Sequence, residues 1–100
     1  MFYMTVGRWP LSSSEQVGKA TIEAMQKPLP DYLKRIGHYV APTAEGIKSI
    51  VLFEAEKGHD EAFGFLADYY AAYRVVDGFN ISIEPLLTVA EAMPMLGLKL

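Results

Sequence analysis

The spacing of apolar residues changes along this chain in an order that only a few folds can accommodate. Segments in which apolar and polar residues alternate, as in a pleated strand, are interrupted by two segments with the 3.6-residue period of a helix. The predicted strands are residues 2–9, 32–41, 47–55 and 79–84, and the predicted helices run from the serines at 12–14 to Pro28 and from 60 to 76. The order is therefore strand, helix, strand, strand, helix, strand.

This order predicts an α+β fold, the ferredoxin-like βαββαβ sandwich, for a single domain of residues 1–100. Right-handed crossovers place both helices on one face of a four-stranded antiparallel sheet. Capping-box spacings at Ser12 with Glu15 and at Thr88 with Glu91 predict the starts of the first helix and of a short helix at about 88–94. Asp60 is the predicted N-cap of the second long helix. The apolar tail at 95–100 is expected to dock on the domain.

The alternation within the strands also predicts which side chains meet the helices. The expected core face carries Phe2, Met4, Val6, Phe79, Ile81 and Ile83, and Pro85 is expected to end the last strand. The opposite face then carries Tyr3, Thr5, Trp9, Ser82 and Glu84. In the second strand, Ile36, His38 and Val40 share one face and Arg35, Gly37 and Tyr39 the other. The sequence leaves open which of these two faces meets the helices.

Composition favours a partner for the uncovered sheet face and excludes several function classes. Hydrophobic residues make up 51% of the chain and charged residues 21%, which is apolar for a small soluble monomer, so we expect a homodimer paired face to face through the sheet. The net charge of −3 without a basic run excludes a nucleic-acid partner. Absent cysteines exclude disulfides and thiolate metal sites. Without a signal peptide or a membrane-spanning segment, a cytoplasmic protein is expected.

The chain resembles the dimeric α/β-barrel superfamily, which includes antibiotic-biosynthesis-monooxygenase-like and stress-responsive barrel proteins. The resemblance covers residues 1 to about 94 and rests on FYMTVGRW, the hairpin LKRIGHYVAP…GIKSIVLFEAE, the aromatic second helix and NISIEPLL. It is closest to small members of unknown function, which also carry a polar or aromatic cluster such as Gly37-His38-Tyr39 at the hairpin start. The resemblance implies the fold and a barrel-forming homodimer. No monooxygenase motif is present to carry over an activity.

Two titratable residues are candidates for catalysis. A neutral His38 imidazole between apolar neighbours is suited to act as a general base or to ligate haem iron, and a Glu84 carboxylate inside an apolar barrel would have a raised pKa. The structural alternatives are a hydrogen-bonded core histidine, which we favour, and a glutamate at the sheet rim paired with Arg8 or Arg35. His59 is interpreted as a loop or cap residue. No spacing of histidines and carboxylates predicts a metal site.

Four further residues are candidates for ligand binding: Tyr3, Trp9 and Tyr39 as stacking surfaces, and Ser82 as a polar contact. The leading interpretation is a homodimeric barrel protein that binds a small apolar or aromatic molecule between sheet and helices. An alternative is a cofactor-independent monooxygenase-like or isomerase-like enzyme, and a further alternative is a non-catalytic interaction scaffold. No cofactor is predicted, although haem would suit a ligating His38.

Overall fold

The computed structural model describes residues 1–56 and 61–97, and it confirms the α+β, ferredoxin-like fold. The strands are β1 (Phe2–Trp9), β2 (Leu33–Thr43), β3 (Gly46–Ala55) and β4 (Asn80–Leu86), and the helices are α1 (Ser14–Met25), α2 (Glu61–Tyr69) and α3 (Val89–Ala92). Short 3-10 segments at Leu11–Ser13, Tyr70–Val75 and Met93–Leu96 adjoin these helices. The strands form one antiparallel sheet in the order β2-β3-β1-β4.

The register of β1 corrects the predicted faces of the sheet. Thr5 lies opposite Val51 of β3 and Ile83 of β4, so these three side chains share one face. That face meets the helices, because the Thr5 hydroxyl is hydrogen-bonded to the hydroxyl of Tyr70, which follows α2. The prediction that Phe2, Met4 and Val6 lie on the core face with Ile81 and Ile83 is therefore wrong, as is the grouping of Tyr3, Thr5 and Trp9 with Ser82 and Glu84. Alternation was read correctly in β1 and β4, but the phase between these two strands was not.

A β-bulge in β2 changes the alternation that the sequence predicted for this strand. Arg35 lies opposite Phe53, but the next paired residue is Gly37, opposite Leu52. The extra residue, Ile36, shifts the alternation by one position. Arg35 therefore shares the helix-facing side with His38, contrary to the predicted grouping of Arg35 with Gly37 and Tyr39.

The structure confirms one predicted helix start and corrects two other predicted element ends. The Thr88–Glu91 capping box is confirmed, with the Glu91 amide donating to the Thr88 hydroxyl and the Thr88 amide donating to the Glu91 carboxylate. The predicted box at Ser12 is wrong, because a 3-10 turn precedes α1 and the Ser13 hydroxyl instead donates to the Asp77 carbonyl at 2.7 Å. β4 continues through Pro85, which an edge strand tolerates since its outer N–H groups have no partner strand.

The hydrophobic core forms where α2 packs on the middle of the sheet. Phe53 of β3 and Leu66 of α2 are fully buried, together with Tyr3, Leu33, Val51, Ala55 and Ala62. The described part of the tail does not dock as predicted, because Met95 and Leu96 are 75% and 69% exposed. Asp60, His59 and residues 98–100 lie outside the described residues. None of the described helices has the length and apolar character that crossing a bilayer requires.

Replacing Leu66 with alanine tests this core. Leu66 is 0% exposed, so Leu66→Ala is expected to lower the free energy of unfolding by about 2–5 kcal/mol, through lost burial and the cavity left behind. Leu11→Ala is the matched control, since Leu11 is 69% exposed and its loss should change stability by no more than about 0.5 kcal/mol. Urea unfolding followed by circular dichroism measures both. Equal effects of the two substitutions would contradict the described core.

Candidate functional site

A cavity of about 290 Å³ lies between the sheet and the helical layer. Ligand pockets usually enclose roughly 300–1,000 Å³, so this one has room for a small molecule. Its lining comes from every strand of the sheet, from α1, and from the end of α2 and the turn that follows; it comprises Thr5, Gly7, Trp9, Val17, Thr21, Met25, Arg35, His38, Val40, Ser49, Val51, Tyr69, Tyr70, Tyr73, Phe79 and Ile81. Most of the lining surface is apolar, although about half of these side chains also carry a polar group.

An aromatic wall closes one side of the cavity. The rings of Trp9 and Phe79 are stacked with centroids 5.9 Å apart, and Phe79 stacks on Tyr73 at 4.8 Å. Gly7 permits this arrangement, because a Cβ at that position would lie 3.1 Å from the Cζ atom of Phe79. The Trp9 indole N–H donates to the Ser14 hydroxyl at 3.2 Å, which holds that ring against the start of α1. Trp9, Phe79 and Tyr73 therefore form a fixed aromatic cluster against which an aromatic ligand could pack.

Three tyrosine hydroxyls lie at the cavity, and each has a polar partner. The Tyr70 hydroxyl bonds the Thr5 hydroxyl at 2.7 Å, and the Tyr73 hydroxyl bonds the Thr21 hydroxyl at 2.8 Å. The Tyr69 hydroxyl accepts from the Arg35 guanidinium at 3.0 Å. Burial raises the pKa of Tyr70 to about 12 and also raises the pKa of Tyr73. At neutral pH both phenols are therefore uncharged hydrogen-bonding groups.

Two basic side chains of β2 line the cavity. Arg35 and His38 project from the same face of this edge strand, and the His38 Nε2 atom is 3.0 Å from the Ser49 hydroxyl of β3. Partial burial of the imidazole, and then the Arg35 charge, lower the pKa of His38. The imidazole is consequently neutral at pH 7, while the guanidinium is charged. Within residues 1–56 and 61–97, no carboxylate forms an ion pair with Arg35.

The structure separates the residues that the sequence singled out. Trp9 and His38 line the cavity, whereas Tyr3 lies beside it in the core, 6.4 Å from the ring of Phe63. Three others, Tyr39, Ser82 and Glu84, lie on the face of the sheet opposite the cavity. There Tyr39 folds over Gly37, and the Ser82 hydroxyl donates to the Glu84 carboxylate at 2.8 Å. His38 and Glu84 therefore cannot act on one substrate within one protomer.

Sequence reasoning missed most of the polar groups at the cavity. A helix that buries Tyr69, Tyr70 and Tyr73 instead of leucines indicates an interior with polar partners, so these three tyrosines could have been found. Arg35 could not, because nothing in the sequence indicates the bulge at Ile36 that brings it beside His38. The described residues contain no cluster of three or more histidine and acidic side chains that could hold a metal ion.

Comparisons with known proteins bear on the fold alone. The chain matches no protein-family model and no curated protein. Among solved structures, it is similar to a formyltetrahydrofolate deformylase from Pseudomonas putida KT2440, with a TM-score of 0.51 and 16% sequence identity. The match covers 86% of this chain and 29% of the deformylase chain, so this chain spans less than a third of that enzyme. The likeness agrees with a small antiparallel sheet covered by helices.

Titration of His38 by NMR tests the electrostatics at the cavity. The His38 pKa is expected below its ordinary 6.5, because partial burial and Arg35 both disfavour the imidazolium. Arg35→Gln should move the pKa back toward 6.5 by removing the second cause, while Lys34→Gln, on the other face of β2, should leave it unchanged. By linkage, the stability that neutral His38 contributes is complete above pH 6.5 and is lost as the pH falls through the folded-state pKa. A wild-type pKa at or above 6.5 would contradict this geometry.

Proposed function

We propose that this protein binds a small, flat, largely apolar organic molecule in the cavity between its sheet and its helices. The observation that carries the proposal is the combination of an apolar cavity with a stacked aromatic wall of Trp9, Phe79 and Tyr73. A ligand that packs against these rings costs the protein little conformational entropy, because the rings already hold one another in place. The few hydroxyls at Tyr69, Tyr70 and Tyr73 would orient the ligand.

The proposal includes membership of the dimeric α/β-barrel superfamily and a second copy of the chain as partner. On the sheet face opposite the helices, Met4 and Val6 pair with Leu52 and Ile50, which makes an apolar centre. Phe2, Leu86 and Tyr39 extend this centre, and Lys34, Glu54, Arg8, Lys48 and Glu84 lie around it. An apolar patch rimmed by charges of both signs is typical of a self-complementary interface, and it is the surface on which the barrel fold pairs.

A cofactor-independent enzyme is the second candidate, and the position of His38 favours it. His38 borders the cavity, and its lowered pKa leaves a neutral nitrogen able to accept a proton at pH 7. Glu84 has no role in this candidate enzyme, because it lies on the other face of the sheet. A catalytic His38 would require that His38→Gln abolish turnover of a bound ligand while leaving its affinity within a few-fold.

Binding of a neutral two-ring probe, 2-naphthalenemethanol, tests the cavity. Trp9 is the only tryptophan of the chain, so its indole N–H gives a single signal in a ¹H–¹⁵N NMR spectrum. That signal is expected to shift saturably as the probe is added, because Trp9 belongs to the cavity wall. Val17→Phe, which places a ring in the cavity from α1, should remove the shift while the melting temperature stays equal or rises.

Val75→Phe is the matched control, because Val75 is exposed and does not line the cavity. It should bind the probe as the wild type does. Undiminished binding by Val17→Phe would place the probe elsewhere and contradict the proposal. A lack of response to both this alcohol and its carboxylate analogue would contradict it as well.

Sedimentation equilibrium at micromolar concentration tests the dimer. The wild type is expected at twice the chain mass of 11.1 kDa. Ile50→Lys should yield monomer, because it buries a charge at the centre of the interface, whereas Ile22→Lys on the exposed side of α1 should stay dimeric. A wild type that sediments as an 11.1 kDa species alone would exclude the dimer.

A further inference from the structure

Arg35 gives the cavity a positive charge that no described lining residue balances. Among the described residues that line the cavity, it is the single charged side chain at neutral pH, and none is acidic. Arg35 is solvent-exposed, so water screens its charge in part, but the apolar lining beside it screens less than water does and strengthens the attraction of an anion. The electrostatics therefore favour a ligand of opposite sign.

The guanidinium is also held in place with most of its donors available. One nitrogen, Nη2, donates to the Tyr69 hydroxyl at 3.0 Å, and the Cζ atom lies 5.8 Å from the ring centroid of Phe53. Arginine has five N–H donors in a planar fork, and within residues 1–56 and 61–97 only this bond to Tyr69 is formed. Because Tyr69 accepts from Arg35, its own hydroxyl proton remains to be donated. The two side chains thus keep several donors close together at the cavity.

We propose that the ligand of this cavity is an aromatic carboxylate, or a planar organic acid of the same kind, whose oxyanion binds the Arg35 guanidinium and the Tyr69 hydroxyl. This inference rests on the proposed binding function and specifies its ligand class. The aromatic body of the ligand would lie toward Tyr73 and Phe79, which belong to the same lining. A carboxylate matches the guanidinium fork, since two parallel N–H···O bonds can form.

The neighbouring groups on β2 agree with this assignment. His38 is neutral at pH 7 and shares its Nε2 atom with Ser49, so it neither repels nor neutralises the anion. Lys34 precedes Arg35 but pairs with Glu54 on the opposite face of the sheet. The cavity therefore receives its charge from Arg35 and not from the basic residue beside it.

Two probes of equal shape separate the charge from the aromatic surface: 2-naphthoate and 2-naphthalenemethanol, each titrated by calorimetry at pH 7.5. The wild type is expected to bind the carboxylate about tenfold or more tightly than the alcohol, since hydrogen bonds to charged groups are the stronger ones. Arg35→Gln should remove that preference while keeping the alcohol affinity. Lys34→Gln carries the same charge change on the other face and should keep the preference. Melting curves of both variants confirm that each is folded.

The outcomes distinguish a failure of the proposed ligand class from a failure of the proposed binding function. Equal affinity of the wild type for both probes would overturn the acidic ligand and leave the binding function standing. A carboxylate preference that survives in Arg35→Gln would overturn the role of Arg35. Absence of binding for either probe would overturn the binding function, and the acidic ligand with it. A preference that is lost in Arg35→Gln and kept in Lys34→Gln supports the inference. If Arg35→Lys keeps only part of the preference, the part that is lost is due to the planar guanidinium fork, because lysine keeps the charge without it.

Discussion

Tyr69, Tyr70 and Tyr73 bring three hydroxyl groups into the layer between helices and sheet, where each one needs a hydrogen-bond partner. A buried hydroxyl without a partner costs about 1–3 kcal/mol, so the surrounding sequence has to supply one. Thr5, Thr21 and Arg35 do so, from β1, α1 and β2 respectively. A threonine or an arginine that makes such a bond does not pack against its neighbours as a leucine side chain would. The cavity lies where these polar pairs meet.

The two faces of the sheet consequently have different characters. On the helix-facing side, the small residues Thr5 and Gly7 of the central strand β1 leave room for large aromatic rings from the helical layer and from Phe79. On the other side, β1 presents Phe2 and Met4, which are half-buried, and Val6, which is 5% exposed. The proposed small-molecule site and the proposed dimer interface therefore use opposite faces of the same strand. The two proposals are independent, because they rest on opposite side chains of the same strand.

The predicted site residues show how far sequence reasoning reaches. Trp9 and His38 are at the cavity, and both were chosen because aromatic and imidazole groups within strands can serve ligands. Tyr39 was chosen as a stacking surface, Ser82 as a polar contact and Glu84 as a base. All three lie on the far face, since their side depends on the pairing phase between strands. Arg35 was grouped with Gly37 and Tyr39, and apart from His38, because the sequence does not reveal that a single inserted residue, Ile36, reverses every later side chain in the strand.

The sequence by itself determined the order of elements, the α+β class and the Thr88 capping box, since each depends on residues close together along the chain. Tertiary structure decided which face of β1 the helices cover, because the outcome depends on how well the side chains of each face pack against the rest of the fold. It also decided that Arg35 and Tyr69, 34 positions apart in the sequence, are joined by a hydrogen bond. Such a contact depends on strand register and helix placement together, and no local pattern encodes either one.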